Sequence, residues 1–353
     1  MQSVGIFVKN LTSGGAEKQA VLLARTLSKE VKTHFIVFNA DKVHEKYLTR
    51  LREDSNISIA LFSGGHISRF NQLVRYIRTN RIDILFSYLA AANLYACLVG
   101  KLTHTKVYTG LRNVDLPWKK RLVDRLLTNH FATGTIVNCF TGKHNFVRHG
   151  FAESRLTVIP NGFENIQPYK PRTQANVVRV ITVGRFHPQK DYDTALRVFA
   201  ELHRKNKKTA YDIIGYGEEE EFIKNRVKEL GLEASCRIFI NPDNIPELLD
   251  SADIYLSTSL IEGTSNSIME AMNASLPIVA TNVGDNSYLI EEGVNGYLLP
   301  IKDVEGIATK LTALVDDINL RQQMGKESLA RLTRNYSVEA FRNNYMKILI
   351  QES

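Results

Sequence analysis

The feature that most constrains the fold of this sequence is an alternation that occurs twice. Short β-branched apolar runs are separated by stretches with helical apolar spacing. In the first half the runs are VGIFV (4–8), FIVF (35–38), ISIALF (57–62), DILFSY (83–88), KVYTGL (106–111), TIVN (135–138) and LTVIP (156–160). In the second they are VVRVITVG (177–184), YDIIG (211–215), CRIFI (236–240), DIYLSTS (253–259), PIVAT (277–281) and GYLLP (296–300). Near-continuous apolar strands that alternate with amphipathic helices such as AEKQAVLLARTL need a parallel sheet covered on both faces. At 353 residues the chain exceeds one ordinary core. The two series therefore predict two doubly wound α/β domains, 1–165 and 166–335. ENIQPYKPRTQAN (164–176), aperiodic and with two prolines, reads as the linker. Beyond Pro300 only helical patterns remain, and 336–353 reads as a closing helix carrying Phe341, Tyr345, Ile348 and Leu349. Open sheets of this kind bind ligands beyond the carboxyl ends of their strands, which predicts a site in a crevice shared by the two domains.

Composition narrows the class. With 44% hydrophobic and 23% charged residues the chain is that of a soluble globular protein. Its N-terminus runs into an apolar segment without the basic region and cleavage pattern of a secretion signal, so a cytoplasmic location is expected. The most apolar run, 84–100, is shorter than a membrane span and carries Ser87, Tyr88 and Asn93; it reads as strand followed by helix. Cys97, Cys139 and Cys236 lack metal-type pairing and read as buried thiols. The net charge of +8 is uneven: residues 1–165 hold 23 basic and 11 acidic side chains, +12, and the remainder 22 and 26, −4. An anionic partner for the first half is implied, whether nucleic acid, a membrane surface or a phosphorylated acceptor. The nucleic-acid reading rests on charge alone, without any binding module, and is set aside.

Four segments could carry chemistry. VGRFHPQKDY (183–192) leads from a strand to a helix near Tyr192, and Arg185 and Lys190 supply a fork and a point charge suited to a diphosphate. An exposed basic loop is the alternative. Asp191 and Asp193 resemble a metal-binding triplet but are expected to cap the helix. NLTSGGAEKQA (10–20) repeats the strand–turn–helix pattern, with Gly14 and Gly15 allowing backbone amides close to a phosphate. IIGYGEEEEF (213–222) fails as a dinucleotide motif, because its third glycine position is Glu220 and four acidic residues would repel a pyrophosphate. STSLIEGTSNSIMEAM (257–272) runs from strand through loop into a helix capped at Ser265 or Asn266. Glu262 is then on the loop, able to accept from sugar hydroxyls, and Glu270 one turn inside the helix, able to take the paired hydroxyls of a ribose. An ordinary helix with surface glutamates is the alternative.

VGRFHPQKD, YDIIGYGEEEEFIKNRVKELGL and LIEGTSNSIMEAMNASLPIVATNVGDNSYLI, in that order, resemble the successive signatures of family 4 retaining glycosyltransferases of the GT-B fold. Two glutamates separated by seven residues are that family's hallmark, and the likeness extends to VIPNG (158–162) and the closing helix. The resemblance implies two Rossmann-like domains facing a central cleft, with the first binding the acceptor, the second the nucleotide sugar, and the last helix crossing back to the first. It implies that Arg185 and Lys190 hold the donor diphosphate, Glu270 the ribose and Glu262 the transferred sugar. The amides at Gly263, Thr264 and Ser265 and the Gly14–Gly15 turn would help, with the base near Gly215, Gly217 and Ile240. No cofactor and no metal is implied beyond the nucleotide-sugar donor itself, expected to be a UDP-sugar, and the acceptor would be lipid-linked or a saccharide in capsule, exopolysaccharide or O-antigen assembly. Where many relatives carry a histidine, this sequence has Arg112 and Asn113, and Arg112 is expected in the active site. A sugar-nucleotide epimerase could use the same architecture. PWKKRLVDRLL (117–127) reads as a basic amphipathic helix, which in such relatives suggests docking on an anionic membrane; an ordinary solvated helix is the alternative.

Overall fold

The computed structural model describes residues 2–12, 14–173 and 176–352. Ser13, beside the glycine pair, and Gln174 and Ala175, in the expected linker, lie outside the described residues. Two compact units are present, Met1–Gly162 with Val338–Ser353, and Phe163–Ser337. The closing helix, Val338–Gln351, thus belongs with the first unit.

Among the described residues there are thirteen strands, each on one of the apolar runs. In the first unit they are β1 (Ser3–Val8), β2 (Lys32–Val37), β3 (Ile57–Leu61), β4 (Ile84–Tyr88), β5 (Lys106–Leu111), β6 (Gly134–Val137) and β7 (Leu156–Val158). In the second they are β8 (Val178–Val183), β9 (Thr209–Gly215), β10 (Cys236–Ile240), β11 (Ile254–Ser257), β12 (Ile278–Thr281) and β13 (Gly296–Leu299). They form two parallel sheets, ordered β3-β2-β1-β4-β5-β6-β7 and β10-β9-β8-β11-β12-β13. Strand order reverses between β1 and β4, and again between β8 and β11. Helices leave in opposite directions at such a point, and the carboxyl ends there are left open.

Burial on both faces explains the continuous apolar runs. Val4, Ile6 and Val8 of β1 enter one core and Phe7 the core on the other face; Val180 and Ile181 of β8 divide in the same way. The closing helix adds Phe341, Tyr345, Ile348 and Leu349 to the core under β1. Burying each such side chain stabilises the unit by about 1.5–3 kcal/mol, which is how a helix so remote in sequence is held there.

Candidate active site

In the second unit, the chain leaving β8 makes a 3-10 turn, Pro188–Lys190, before the helix Tyr192–Lys205. Asp191 caps that helix: its carboxylate accepts from the Thr194 amide at 3.3 Å and the Thr194 hydroxyl at 2.7 Å. Asp193 instead accepts from Arg226 Nε at 2.7 Å. The DxD triplet is therefore spent on a cap and an ion pair. Only the first of the two aspartates caps, so the expectation that both would is corrected.

The loop after β11 is laced to this turn. The Leu260 amide donates to the Gln189 carbonyl at 2.8 Å, the Gln189 side-chain amide donates to the Ile261 carbonyl, and the Thr258 hydroxyl lies 3.0 and 2.9 Å from the carbonyls of Lys190 and Asp191. That lacing sets the Lys190 ammonium directly on Glu262 Oε1, which also accepts from the Ser259 hydroxyl at 2.7 Å. Glu262 is only 8% exposed. A carboxylate so buried is compensated by a cation and a second donor, and the loss of the cation would leave it without a counter-charge. Behind it, Gly284 has φ +55°, and a Cβ there would stand 2.1 Å from the Glu262 carbonyl oxygen. The Asp285 amide donates to the Gly263 carbonyl at 3.2 Å, and the Thr264 hydroxyl to Asp285 Oδ2 at 3.1 Å.

Ser265 stands at the N-cap of the helix Asn266–Asn273 but makes no side-chain cap bond, and its hydroxyl lies 3.2 Å from that of Ser267. The expected side-chain cap is absent, which leaves this helix start suited to an anion. Glu270 is exposed one turn in. Burial pushes the Tyr255 phenol well up, and the charges of both Glu270 and Glu262 add to the effect, so the two carboxylates act on one ring of β11. A cavity of about 530 Å³ beside Glu270 is lined by Phe163, Asn165, Ile245, Pro246 and Leu249 among others.

Other expected residues have more varied surroundings. Arg185 is exposed and makes no ion pair among the described residues. Gly215 and Gly217 serve chain passage: a Cβ would meet the Gly184 oxygen at 1.9 Å and the Phe186 oxygen at 2.4 Å respectively. Ile240 ends the edge strand β10 with 44% of its surface exposed. Ser259, Gln189, Gly284, Asp285 and the cavity-lining Ile245 and Pro246 were missed in the sequence. A signal existed for Gly284 and Asp285, a Gly–Asp pair just past the end of β12, where strand-end loops meet ligands. Among the described residues no group of three or more His, Cys, Asp or Glu could hold a metal ion.

In the first unit, Gly14 is the N-cap of the helix Gly15–Leu27. A Cβ on Gly15 would meet nothing within 4 Å, and one on Gly14 only the Glu17 side chain. Arg112 follows β5 directly. Its Nη2 donates to the Tyr345 hydroxyl at 3.0 Å, its Nη1 to Asn161 Oδ1 at 3.3 Å, and its Cζ lies 4.3 Å from the centroid of the Tyr88 ring. Close by, at the carboxyl ends of β1 and β4, a cavity of about 100 Å³ is lined by Asn10, Glu17, Tyr88 and Leu89. Leu89 holds φ +74° and ψ 152°, a backbone conformation that side chains rarely adopt and that clusters at functional sites.

Comparison with known proteins bears on the family and the fold. The model of the family "Glycosyltransferase Family 4" matches residues 13–165, and that of "Glycosyl transferases group 1" matches 165–331. An uncharacterized glycosyltransferase of Haemophilus influenzae is 26% identical across 99% of this chain and 100% of its own length. A Campylobacter jejuni enzyme described as an alpha-1,4-N-acetyl-D-galactosaminyltransferase acting on a diNAcBac-PP-undecaprenol-linked disaccharide is 20% identical over 99% of both chains. Among solved structures, Anabaena Alr3699/HepE in complex with UDP superposes with a TM-score of 0.82 at 19% identity, covering 99% of this chain and 100% of that one.

Proposed function

This chain belongs to the family 4 glycosyltransferases, and on that premise we propose that it moves a sugar, with retention, from a UDP-sugar to a lipid-linked or saccharide acceptor in bacterial surface-polysaccharide assembly. The observation that carries the donor reading is the Lys190–Glu262–Ser259 cluster at the point where the second sheet reverses, next to an uncapped helix start. Lys190, the exposed Arg185 and the amides at Gly263, Thr264 and Ser265 offset the charge that develops on the departing diphosphate, a task cations and fixed dipoles perform in a water-poor site without a metal. Glu262 accepts from hydroxyls of the transferred sugar as the diphosphate draws Lys190 toward itself. Glu270 takes the ribose hydroxyls and the base lies toward Gly215, Gly217 and Ile240. UDP is favoured by the UDP-bound HepE structure, and a lipid-linked acceptor by the undecaprenol-linked substrate in the name of the Campylobacter relative. Transfer is preferred to epimerisation because both family models and the Haemophilus and Campylobacter relatives are glycosyltransferases.

Acceptor recognition is assigned to the first unit, with Gly14 and Gly15 leaving room for a ligand and Arg112 beside it. That unit also carries a surface suited to the cytoplasmic face of an anionic membrane. Trp118, Leu122, Val123 and Leu126 of the helix Trp118–His130 are 44–65% exposed, and the neighbouring helix Ala90–Thr103 adds an outward stripe of Leu94, Leu98 and Leu102. Lys101, Lys119 and Lys120 border them, the arrangement of a surface that seats apolar side chains among lipids and cations among headgroups. No helix among the described residues is long and apolar enough to cross a membrane. Co-sedimentation with phosphatidylglycerol vesicles at low salt should fall severalfold in Leu122→Glu/Leu126→Glu; equal recovery with neutral vesicles would contradict docking.

The donor assignment is tested by the melting shift with UDP-, GDP- and ADP-sugars on wild type and Glu270→Ala, since a ligand bound only by the folded state raises stability. A UDP-specific shift lost in the variant supports it, and no shift with any nucleotide would overturn it.

A further inference from the structure

We infer that Arg112 is the seat of an oxyanion, a carboxylate or phosphate group carried by the acceptor; the inference rests on the assignment of the acceptor to the first unit. The guanidinium is always charged, and among the described residues no carboxylate lies within ion-pair distance of it. Its partners are all neutral: the Tyr345 hydroxyl, the Asn161 amide oxygen and the face of Tyr88. Nε is buried with no partner. The hydrogen bonds to Asn161 and Tyr345 use two of the five N–H groups, and the side chain is partly buried. A guanidinium fork with N–H groups to spare and no counter-charge is what an oxyanion takes.

A partly buried cation without a counter-charge costs a fold stability, and π and hydroxyl contacts offset this only in part. Tyr345 does not need the arginine to be satisfied, because its hydroxyl also lies 3.3 Å from that of Tyr88. The arginine's setting is instead that of a ligand site. The strained Leu89 and the small cavity both adjoin Tyr88, at the carboxyl ends where the first sheet reverses. The +12 charge of residues 1–165 draws anions to the same unit. Tyr88, Asn161 and Tyr345 are then positioning residues: one supports the plane of the fork and two fix its rotation.

The test is thermal melting of wild type, Arg112→Met and Arg112→Lys in inorganic phosphate, in glucuronate and in glucose, each against chloride of equal ionic strength. Only the part of a shift that Arg112→Met removes is credited to this site, because phosphate can also enter at Lys190. Arg112→Met is expected to melt at or above wild type in chloride and to lose a shift of about 2 °C or more; Arg112→Lys should keep less than half of it. Loss of the glucuronate shift alone identifies an acidic sugar, and loss of the phosphate shift alone a phosphorylated acceptor. A clear fall in melting temperature for Arg112→Met in chloride, with every oxyanion shift retained, would overturn the inference and make Arg112 a structural bolt. The UDP shift should be unchanged in Arg112→Met, which keeps this outcome separate from that of the donor assignment.

Discussion

The two units present a cation at the same kind of place, just past the carboxyl end of a central parallel strand, and neutralise it in opposite ways. In the second unit Lys190 rests on the buried carboxylate of Glu262, with Ser259 donating to the same oxygen. In the first, Arg112 rests on two tyrosines and an asparagine. A cation already paired admits only a ligand that can serve both partners at once, an anion for the lysine and hydroxyls for the glutamate, which is what a nucleotide sugar offers. An unpaired one awaits an anion alone. On the proposed reading, two superficially similar positions take different ligands.

Breaking the paired side should have the largest effect. Lys190→Ala removes the main counter-charge of a carboxylate that is 8% exposed, and is expected to cost about 3 kcal/mol of stability and about 10²–10³-fold in transfer rate. Chemical denaturation and radiolabelled sugar transfer would check the two. Adding Glu262→Gln should recover most of the stability and none of the rate. Gly284→Ala comes next, because the new Cβ would strike the Glu262 carbonyl at 2.1 Å in a backbone of φ +55°. A loss of about 2–3 kcal/mol is expected, together with activity, measured by denaturant midpoint and initial rate.

The first unit can be sharpened by pH. His34 of β2 is buried against Tyr76, and burial, reinforced by the Lys32 charge, lowers its pKa to about 4. The unfolded chain binds a proton near 6.5, so between 6.5 and 4 it holds more protons than the folded unit, and stability falls as the pH is lowered through that window. The loss should be on the order of 2 kcal/mol and shrink in His34→Gln, read from melts at pH 7, 5.5 and 4. The smallest effect is expected for Asp191→Ala, about 1 kcal/mol for a lost helix cap, with the Lys190–Glu262 pair intact in a donor-binding assay.

How much of this was legible in the sequence depended on whether a feature has a period or a fixed spacing. The strands did, because a sheet covered on both faces demands continuous apolar runs. Lys190 and Glu262 were each visible beside a strand end, but not their union. It spans 72 residues and is made by Gln189, Thr258 and Leu260 lacing two loops through backbone groups that leave no pattern. Gly284 is marked in the sequence only by its place in a Gly–Asp pair past a strand end, and the Glu262 carbonyl against it leaves no pattern there. The outward leucines of Ala90–Thr103 were hidden differently. In a run as apolar as 84–100, side chains facing out and in are of the same kind, so hydrophobicity alone does not tell a surface stripe from a core one. At Arg112 the residue type pointed to an anion, while the absence of a carboxylate beside it among the described residues depends on Tyr88, Asn161 and Tyr345 converging from three distant segments.

The most direct measurement is calorimetric titration of UDP into wild type, Lys190→Met and Lys190→Met/Glu262→Gln. If the paired cation is the donor site, wild type binds UDP and both variants lose at least tenfold in affinity, although the double variant melts close to wild type. UDP binding to the double variant with wild-type affinity would contradict it, and would leave the Lys190–Glu262 pair as an internal brace of the second unit.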